Sequence, residues 1–178
     1  PSLPAPVAGA ASGGSFELGG HVLEVNTSSI TIAKSAGMIW IKKQVYHQEG
    51  ANAGDLAGTI STAHANGMKI LLGVVGDKNA LTTNFDGYVA NFSSYLAGLA
   101  SFGADAIEVW NEPNIDREWP AGQINGANYT RMLASASNAI RNASAKTLVI
   151  SGAPAPTGYF GAAGCTANGC NDDVFMQQ

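Results

Sequence analysis

The most informative stretch is Asp105-Ala-Ile-Glu-Val-Trp-Asn-Glu-Pro-Asn-Ile-Asp-Arg-Glu-Trp119, in which a short apolar run leads directly into polar residues. The run that ends at Trp110 has the length of a buried strand. Pro113 lacks the N–H group that a central strand needs, so the chain must leave the sheet there. The sequence therefore predicts a strand that delivers Asn111 and Glu112 to its C-terminal end, at the mouth of a sheet.

Strand-like and helical patterns alternate along the rest of the chain. Strand-like runs lie at Phe16–Val25, Met38–Val45, Lys69–Val75, Asp105–Trp110 and Thr147–Gly152. Apolar residues at helical spacing predict helices from Thr27/Ser28 to Gly37, from Asp55 to Asn66-Gly67, between Asn84 and Gly103, and from Tyr129 to Ala143. Strands separated by helices are joined by right-handed crossovers, which give a parallel sheet with helices outside.

Two α/β architectures fit this order of elements: an open doubly wound sheet and a (β/α)₈ TIM barrel. Neither G-x-G-x-x-G nor G-x-x-x-x-G-K-[ST] occurs, so nucleotide binding has no motif. Polar side chains instead stand at or beyond the C-terminal ends of successive strands: Lys42, Lys43, Gln44, Asp77, Asn111 and Glu112. Functional side chains in these places are typical of the catalytic face of a barrel, which is the architecture we expect.

Composition and charge narrow the range of partners. The chain has 178 residues, of which 46% are apolar and 12% charged, and its formal net charge is −4. Nucleic acids and anionic membranes attract basic surfaces, so neither is expected as a partner. No apolar run approaches the roughly 20 residues of a membrane helix. We expect neither a cofactor nor a metal.

Two features indicate export. Residues 1–15 are rich in Pro, Ala and Gly and do not form an intact signal peptide, so they are interpreted as a linker left after processing. Cys165 and Cys170 flank the turn-forming pair Asn168-Gly169, a spacing that fits a disulfide closing a small loop. Free thiols are the alternative, and metal binding is less favoured because no histidine lies nearby. Disulfides persist in oxidising compartments, so we expect a secreted or extracellular protein.

Glu112 is the best candidate for a catalytic group. Its neighbours Trp110 and Pro113 are apolar, and partial desolvation would raise the pKa of the carboxyl group towards a value useful for general acid catalysis. Asn111 has an amide suited to holding a substrate hydroxyl group. The alternative is a surface Glu in a loop, with Asn111 serving only as a turn former.

The segment Ile107-Glu-Val-Trp-Asn-Glu-Pro-Asn114 resembles the fourth-strand signature of clan A retaining glycoside hydrolases, (β/α)₈ barrels near families 39 and 5. The resemblance covers roughly Phe16 to the end of the chain. Gly37–Val45 is similar to the second strand, Gly67–Val75 to the third and Leu148–Pro154 to the fifth.

The resemblance implies a β-linked carbohydrate substrate and a role for several residues. Glu112 would be the acid/base, and Asn111 would contact the sugar 2-hydroxyl. The stretch Arg117-Glu-Trp119 is similar to the one that leads into the fourth helix. Trp119 is then either a stacking platform for a pyranose ring or an ordinary core aromatic.

Side-chain parity suggests further site residues. Lys42 and Gln44 share one parity on the second strand, so both can line the barrel interior. Glu108 has the same parity as Glu112 on the fourth strand, and a buried Glu needs a partner, so we expect a Lys42–Glu108 ion pair under the site.

Four other polar residues have two open interpretations each. Asp77 is a candidate substrate contact or a solvated loop residue. His21 and His47 are near enough to the strands to reach substrate, although hydrogen-bonded structural roles are favoured. His64 lies in a predicted helix and is expected to be a surface or structural residue.

The second carboxyl group of the reaction is missing. Retaining glycoside hydrolysis needs two carboxyls about 5–5.5 Å apart, and in the resembling families the nucleophile is a Glu at the end of the seventh strand. This chain supplies roughly the first five strands, and a barrel takes about 250 residues. Asp172–Gln178 resembles the start of a further helix.

Three accounts of the missing carboxyl are open. The favoured one is that residues 16–178 are the N-terminal part of a larger secreted glycosidase whose remainder lies on the same or a separate chain. The second is a non-catalytic carbohydrate-binding or structural half-barrel that self-assembles. The third is an intact small α/β protein that merely shares the motif.

Overall fold

The computed structural model describes residues 16–178, so the predicted linker, residues 1–15, lies outside the described residues. Five parallel strands form one sheet: β1 (Gly19–His21), β2 (Trp40–Tyr46), β3 (Lys69–Val75), β4 (Ala106–Val109) and β5 (Leu148–Ser151). Each lies within or close to a predicted strand. The strand β1 is much shorter than predicted, because only its three residues pair with β2.

Helices connect the strands: α1 (Thr27–Ser35), α2 (Ala57–Ala65), α3 (Lys78–Thr83), α4 (Phe85–Ser101), α5 (Gly126–Ala143) and, after β5, α6 (Asp172–Gln177). Asparagines cap the longest of them: Asn84 and Asn125 each accept a hydrogen bond from a backbone N–H of the first turn. Asn26 does the same for α1, so the predicted cap at Thr27/Ser28 lies slightly too late in the sequence.

Two helical segments differ from the prediction. Asp55 does not open α2 but lies in a 3₁₀ turn, Ala53–Leu56, which Asn52 caps. The short helix α3 has no counterpart among the predicted elements. It forms because the side chain of Asp77 accepts hydrogen bonds from two backbone N–H groups of its first turn.

The strands lie in the sheet in the order β1-β2-β3-β4-β5, which is also their order along the chain. A doubly wound sheet reverses its strand order at a switch point. The described strands show no such reversal, so the sheet winds continuously in one direction. This winding is that of a (β/α) barrel.

The two faces of the sheet have different surroundings. On the outward face, six apolar side chains are fully buried beneath the helices: Ile41, Ile70, Leu72, Val74, Ile107 and Val109. The strand register puts Trp40, Lys42, Gln44, Leu71, Gly73, Ala106, Glu108, Leu148 and Ile150 on the other side, which we call the concave face. Leu148 remains 57% exposed there. The core therefore lies between sheet and helices.

A disulfide joins Cys165 and Cys170, as predicted. It closes an antiparallel pair of short strands, β6 (Cys165–Thr166) and β7 (Gly169–Cys170), which were not predicted as strands. We call residues 165–170 the disulfide hairpin. Within residues 16–178, none of the helices combines the length and the apolar character needed to cross a membrane.

Candidate active site

The backbone turns sharply where β4 ends. Trp110 and Glu112 have φ angles of 72° and 43°, in the left-handed region that residues other than glycine seldom adopt. Each such residue costs about 1–3 kcal/mol and persists only where the surrounding structure imposes it. Such strain is concentrated at functional sites, so the turn formed by residues 110–112 is a candidate functional site.

Burial of Trp110 helps to impose this turn. The side chain is fully buried and packs edge-on against Phe92 and Trp119. Its indole Nε1–H donates a hydrogen bond to the carbonyl oxygen of Glu118, 3.1 Å away. Trp110 is thereby held by helix α4 and by the loop that follows Glu112.

Tyr129 of α5 connects the ends of two strands beneath the site. Its hydroxyl group donates to the Val109 carbonyl at 2.8 Å and accepts from the Gly152 N–H at 2.6 Å. Burial raises the pKa of this hydroxyl group, so Tyr129 stays protonated and able to donate. The ends of β4 and β5 are therefore fixed relative to each other.

Glu112 lies beside a cation, Arg117, that is not among the predicted site residues. Its backbone N–H donates to Ala153 O at 3.0 Å, and its carboxylate, 24% exposed, pairs with the Arg117 guanidinium. Arg117 also reaches Glu118 Oε1 at 3.3 Å, and the charge of Glu112 raises the pKa of Arg117. The expected apolar environment of Glu112 is therefore corrected to an ion pair with Arg117.

Arg117 could have been found from its charge and position. It is a cation five residues after Glu112 in the same loop, and a loop of that length can fold back on itself.

Asn111 is half-buried, and the hydrogen bonds among residues 16–178 do not involve its side chain. Its amide therefore makes no structural bond that would compete with a ligand there.

The predicted ion pair on the concave face is present. Lys42 Nζ lies 2.5 Å from Glu108 Oε2, and the two side chains are 32% and 12% exposed. The pair compensates the burial of Glu108, as expected for a carboxylate in this position. Gln44 lies two residues after Lys42 on the same face of β2. Its side-chain Nε2 donates a hydrogen bond to Tyr46 Oη at 3.0 Å. Roles of Lys42 and Gln44 in substrate binding stay predictions.

Two candidate substrate contacts have structural roles. Trp119 is fully buried against Phe85, Trp110 and Tyr129, so it presents no ring face to a sugar and the core interpretation replaces the stacking platform. Asp77 caps α3, because its Oδ1 accepts from Asn79 N and Ala80 N, and this role replaces the solvated-loop interpretation. A contact between Asp77 and substrate stays a prediction.

The three histidines occupy different environments. His47 is buried, with Nδ1 3.0 Å from Tyr88 Oη, and His64 Nε2 lies 2.8 Å from Asp105 Oδ2. Both are structural, as favoured. The side chain of His21 is exposed on β1 and makes no hydrogen bond within the described part of the chain, so the favoured hydrogen-bonded role is wrong for it.

A solvent-open pocket of about 350 Å³ lies on the concave face. Its lining includes Trp40, Lys42, Leu71, Ala106, Leu148 and Ile150. The pocket lies on the lower and middle parts of the sheet, whereas Glu112 lies at the upper, C-terminal edge. Among residues 16–178, no three His, Cys, Asp or Glu side chains are grouped so as to hold a metal ion.

No protein-family model and no curated protein matches the sequence. Solved structures that are similar in fold include two endoglucanases. A GH5-4 broad-specificity endoglucanase from Clostridium longisporum has a TM-score of 0.59 and 14% identity, over 74% of this chain and 45% of that one. The catalytic domain of the Thermobifida fusca endoglucanase Cel5A in complex with cellotetraose has a TM-score of 0.50 and 17% identity, over 70% and 41%.

The chain has the fold of part of a (β/α)₈ barrel. The expected fold class is thereby confirmed, and its neighbours are family 5 endoglucanases. At these identities the likeness extends to the fold alone, and the resemblance to family 39 stays a prediction. The chain spans less than half the length of either endoglucanase.

Proposed function

We propose that this chain supplies the acid/base part of a retaining glycoside hydrolase that acts on a β-linked glycan by double displacement. Glu112 protonates the leaving oxygen and then activates water as a base, while Asn111 binds the sugar 2-hydroxyl. The observation that carries this proposal is the strained Glu112 turn at the C-terminal end of a barrel strand, where barrel enzymes hold their catalytic groups.

Glu112 must carry a proton when the glycosidic oxygen arrives. In the unliganded site this carboxyl group is paired with Arg117, whose side chain is 67% exposed. We propose that the entering glycan displaces the exposed guanidinium into water, which frees the Glu112 carboxyl group to face the glycosidic oxygen.

We propose that the nucleophile and the strands that complete the barrel lie outside this chain's described residues, on the same or a separate polypeptide. A second carboxyl about 5–5.5 Å from Glu112 is required. Glu108 is engaged by Lys42, and the open concave face offers room for further strands. The less-than-half coverage of both endoglucanases supports this proposal. The disulfide supports export, because such bonds persist outside the cytosol.

The substitution Glu112→Ala in the complete protein tests the acid/base role. We expect hydrolysis of phenyl β-glycosides to fall by about 10²–10⁴-fold, because general acid catalysis contributes that much. In the second step, Glu112 as a base activates the water that attacks the glycosyl-enzyme intermediate. Azide attacks without a general base, so it should restore turnover of 2,4-dinitrophenyl β-glycosides by the variant and give the β-glycosyl azide. Unchanged hydrolysis, or a loss that azide does not rescue, would contradict the assignment.

Glu118→Ala is the matched control. It removes the other carboxylate that contacts Arg117 but leaves Glu112 in place. We therefore expect this variant to hydrolyse both substrates without added azide. Glycan binding by the wild-type protein without any turnover would favour the non-catalytic carbohydrate-binding half-barrel instead.

A further inference from the structure

Asn114, two residues after Glu112, is fully buried and its amide is bonded on both sides. Its Oδ1 accepts from Ala155 N at 2.7 Å. Its Nδ2 donates to Ala155 O at 2.9 Å and to Cys170 O at 3.0 Å, with Thr157 Oγ1 3.3 Å away. One side chain therefore joins the Glu112 loop to the segment after β5 and to the disulfide hairpin.

The backbone on either side of Asn114 extends this connection. Asn114 O accepts from Cys170 N at 2.8 Å, and Asp116 N donates to Asn168 O at 2.9 Å. Lys78 Nζ from α3 reaches Asp116 O at 2.6 Å. The segment that carries Arg117 is thus held on one side by the disulfide hairpin and on the other by α3.

Glu112 lies between two fixed points of this assembly. Upstream, Tyr129 ties the ends of β4 and β5 together. Downstream, Asn114 binds Ala155, only two residues beyond the Ala153 carbonyl that accepts from Glu112 N. A turn with φ of 43° at Glu112 relaxes unless both flanks are held, because the conformation is unfavourable by itself.

We infer that Asn114 is a positioning residue for Glu112, an inference that rests on the proposed function. It acts through the main chain: its amide holds residues 112–116 against the loop after β5 and against the disulfide hairpin. The amide is required because two of its partners are carbonyl oxygens. A carboxylate at residue 114 would put an oxygen opposite Ala155 O and Cys170 O, where a donor is needed.

Leaving-group dependence separates positioning from a general loss of folded protein. We compare Asn114→Ala and Asn114→Asp with the wild type in the complete protein, using phenyl and 2,4-dinitrophenyl β-glycosides. The phenyl leaving group needs protonation and the dinitrophenyl group does not. We expect kcat/KM for the phenyl substrate to fall by about 10-fold or more, because small displacements of a catalytic group have large effects. The dinitrophenyl substrate should lose much less.

Thr157→Val is the matched control. It removes the hydroxyl group that contacts Asn114 and Cys170 O but leaves the bonds between Asn114 and Ala155 intact. We expect the ratio of kcat/KM for the phenyl substrate to kcat/KM for the dinitrophenyl substrate to equal that of the wild type. Equal losses on both substrates in the Asn114 variants, or no loss, would overturn the inference.

Hydrogen exchange keeps the inference testable if Glu112 proves not to be the acid/base. Asn114→Ala should then still accelerate amide exchange across residues 112–116, because that segment loses its anchor. Unchanged exchange in the variant would overturn the positioning role itself. Accelerated exchange together with Glu112-independent turnover would reject the proposed function and retain the anchoring role of Asn114.

Discussion

Gly73 shows how a single residue makes room for the ion pair on the concave face. It lies on β3, between Lys42 of β2 and Glu108 of β4, whose side chains meet across it. A Cβ atom at this position would lie 2.9 Å from Glu108 Oε2 and 3.1 Å from Lys42 Cε. The two charges reach each other over β3 because glycine leaves that space empty.

We expect Gly73→Ala to destabilise the protein by about 1–3 kcal/mol, since overpacking at a buried site displaces its neighbours. Gly58→Ala is the control, because no heavy atom lies within 4 Å of the added Cβ and glycine is unfavourable inside a helix. It should be neutral or stabilising by up to about 1 kcal/mol. The free energies of unfolding come from urea titrations. Equal effects of the two substitutions would show that the ion pair moves aside without cost.

At the scale of secondary-structure elements, His47 connects β2 with helix α4. The imidazole is buried among Tyr88, Phe92 and Tyr95 of α4, and its Nδ1 lies 3.0 Å from Tyr88 Oη. Burial lowers the pKa of His47 and raises that of Tyr88 to about 12, since both charged forms are disfavoured there. The carboxylates of Glu49 and Asp77 oppose the shift at His47 but are outweighed.

This burial predicts a loss of stability in mild acid. The unfolded chain binds a proton at His47 near pH 6.5, whereas the folded chain binds it only at lower pH, so the stabilisation is complete above pH 6.5 and is lost as pH falls below it. His47→Asn keeps a nitrogen near Tyr88 Oη but does not titrate. We expect urea midpoints between pH 5 and 7.5 to fall less steeply in this variant. An identical pH dependence in both proteins would contradict the prediction.

At the scale of the whole molecule, the sheet is buried on one face and open on the other. Ile107 on the outer face is fully buried, whereas Ile150 on the concave face is 38% exposed. If further strands complete the barrel, Ile150 becomes a core residue in the complete protein. Its contribution to stability therefore reports on barrel completion without any assay of activity.

We expect Ile150→Ser to lower the free energy of unfolding of the complete protein by about 2 kcal/mol or more, because a core side chain is truncated and a hydroxyl group is buried. Phe102, 48% exposed just after α4, provides the control substitution Phe102→Ser, which should have a much smaller effect. Ordinary surface substitutions change the free energy of unfolding by no more than about 0.5 kcal/mol. A decrease smaller than this for Ile150→Ser would mean that the concave face stays exposed to water.

Most secondary-structure elements were predictable from neighbouring residues, whereas the acid/base role of Glu112 stays a prediction. Hydrophobic periodicity and turn chemistry are properties of neighbouring residues, so the five strands and helices α1, α4 and α5 followed from the sequence. Strand parity also predicted the contact between Lys42 and Glu108. The helix α3 was not predicted, because six residues are too few to show a period.

What the sequence determined by itself was the alternation of strands and helices, the end of β4 before Pro113 and the pairing of Cys165 with Cys170. Each depends on residues close together in the chain. Only the tertiary structure decided that Trp119 is buried and that Asn114 anchors the Glu112 loop. Those contacts join segments from different parts of the chain, and their distances depend on how helices and loops pack on the finished sheet.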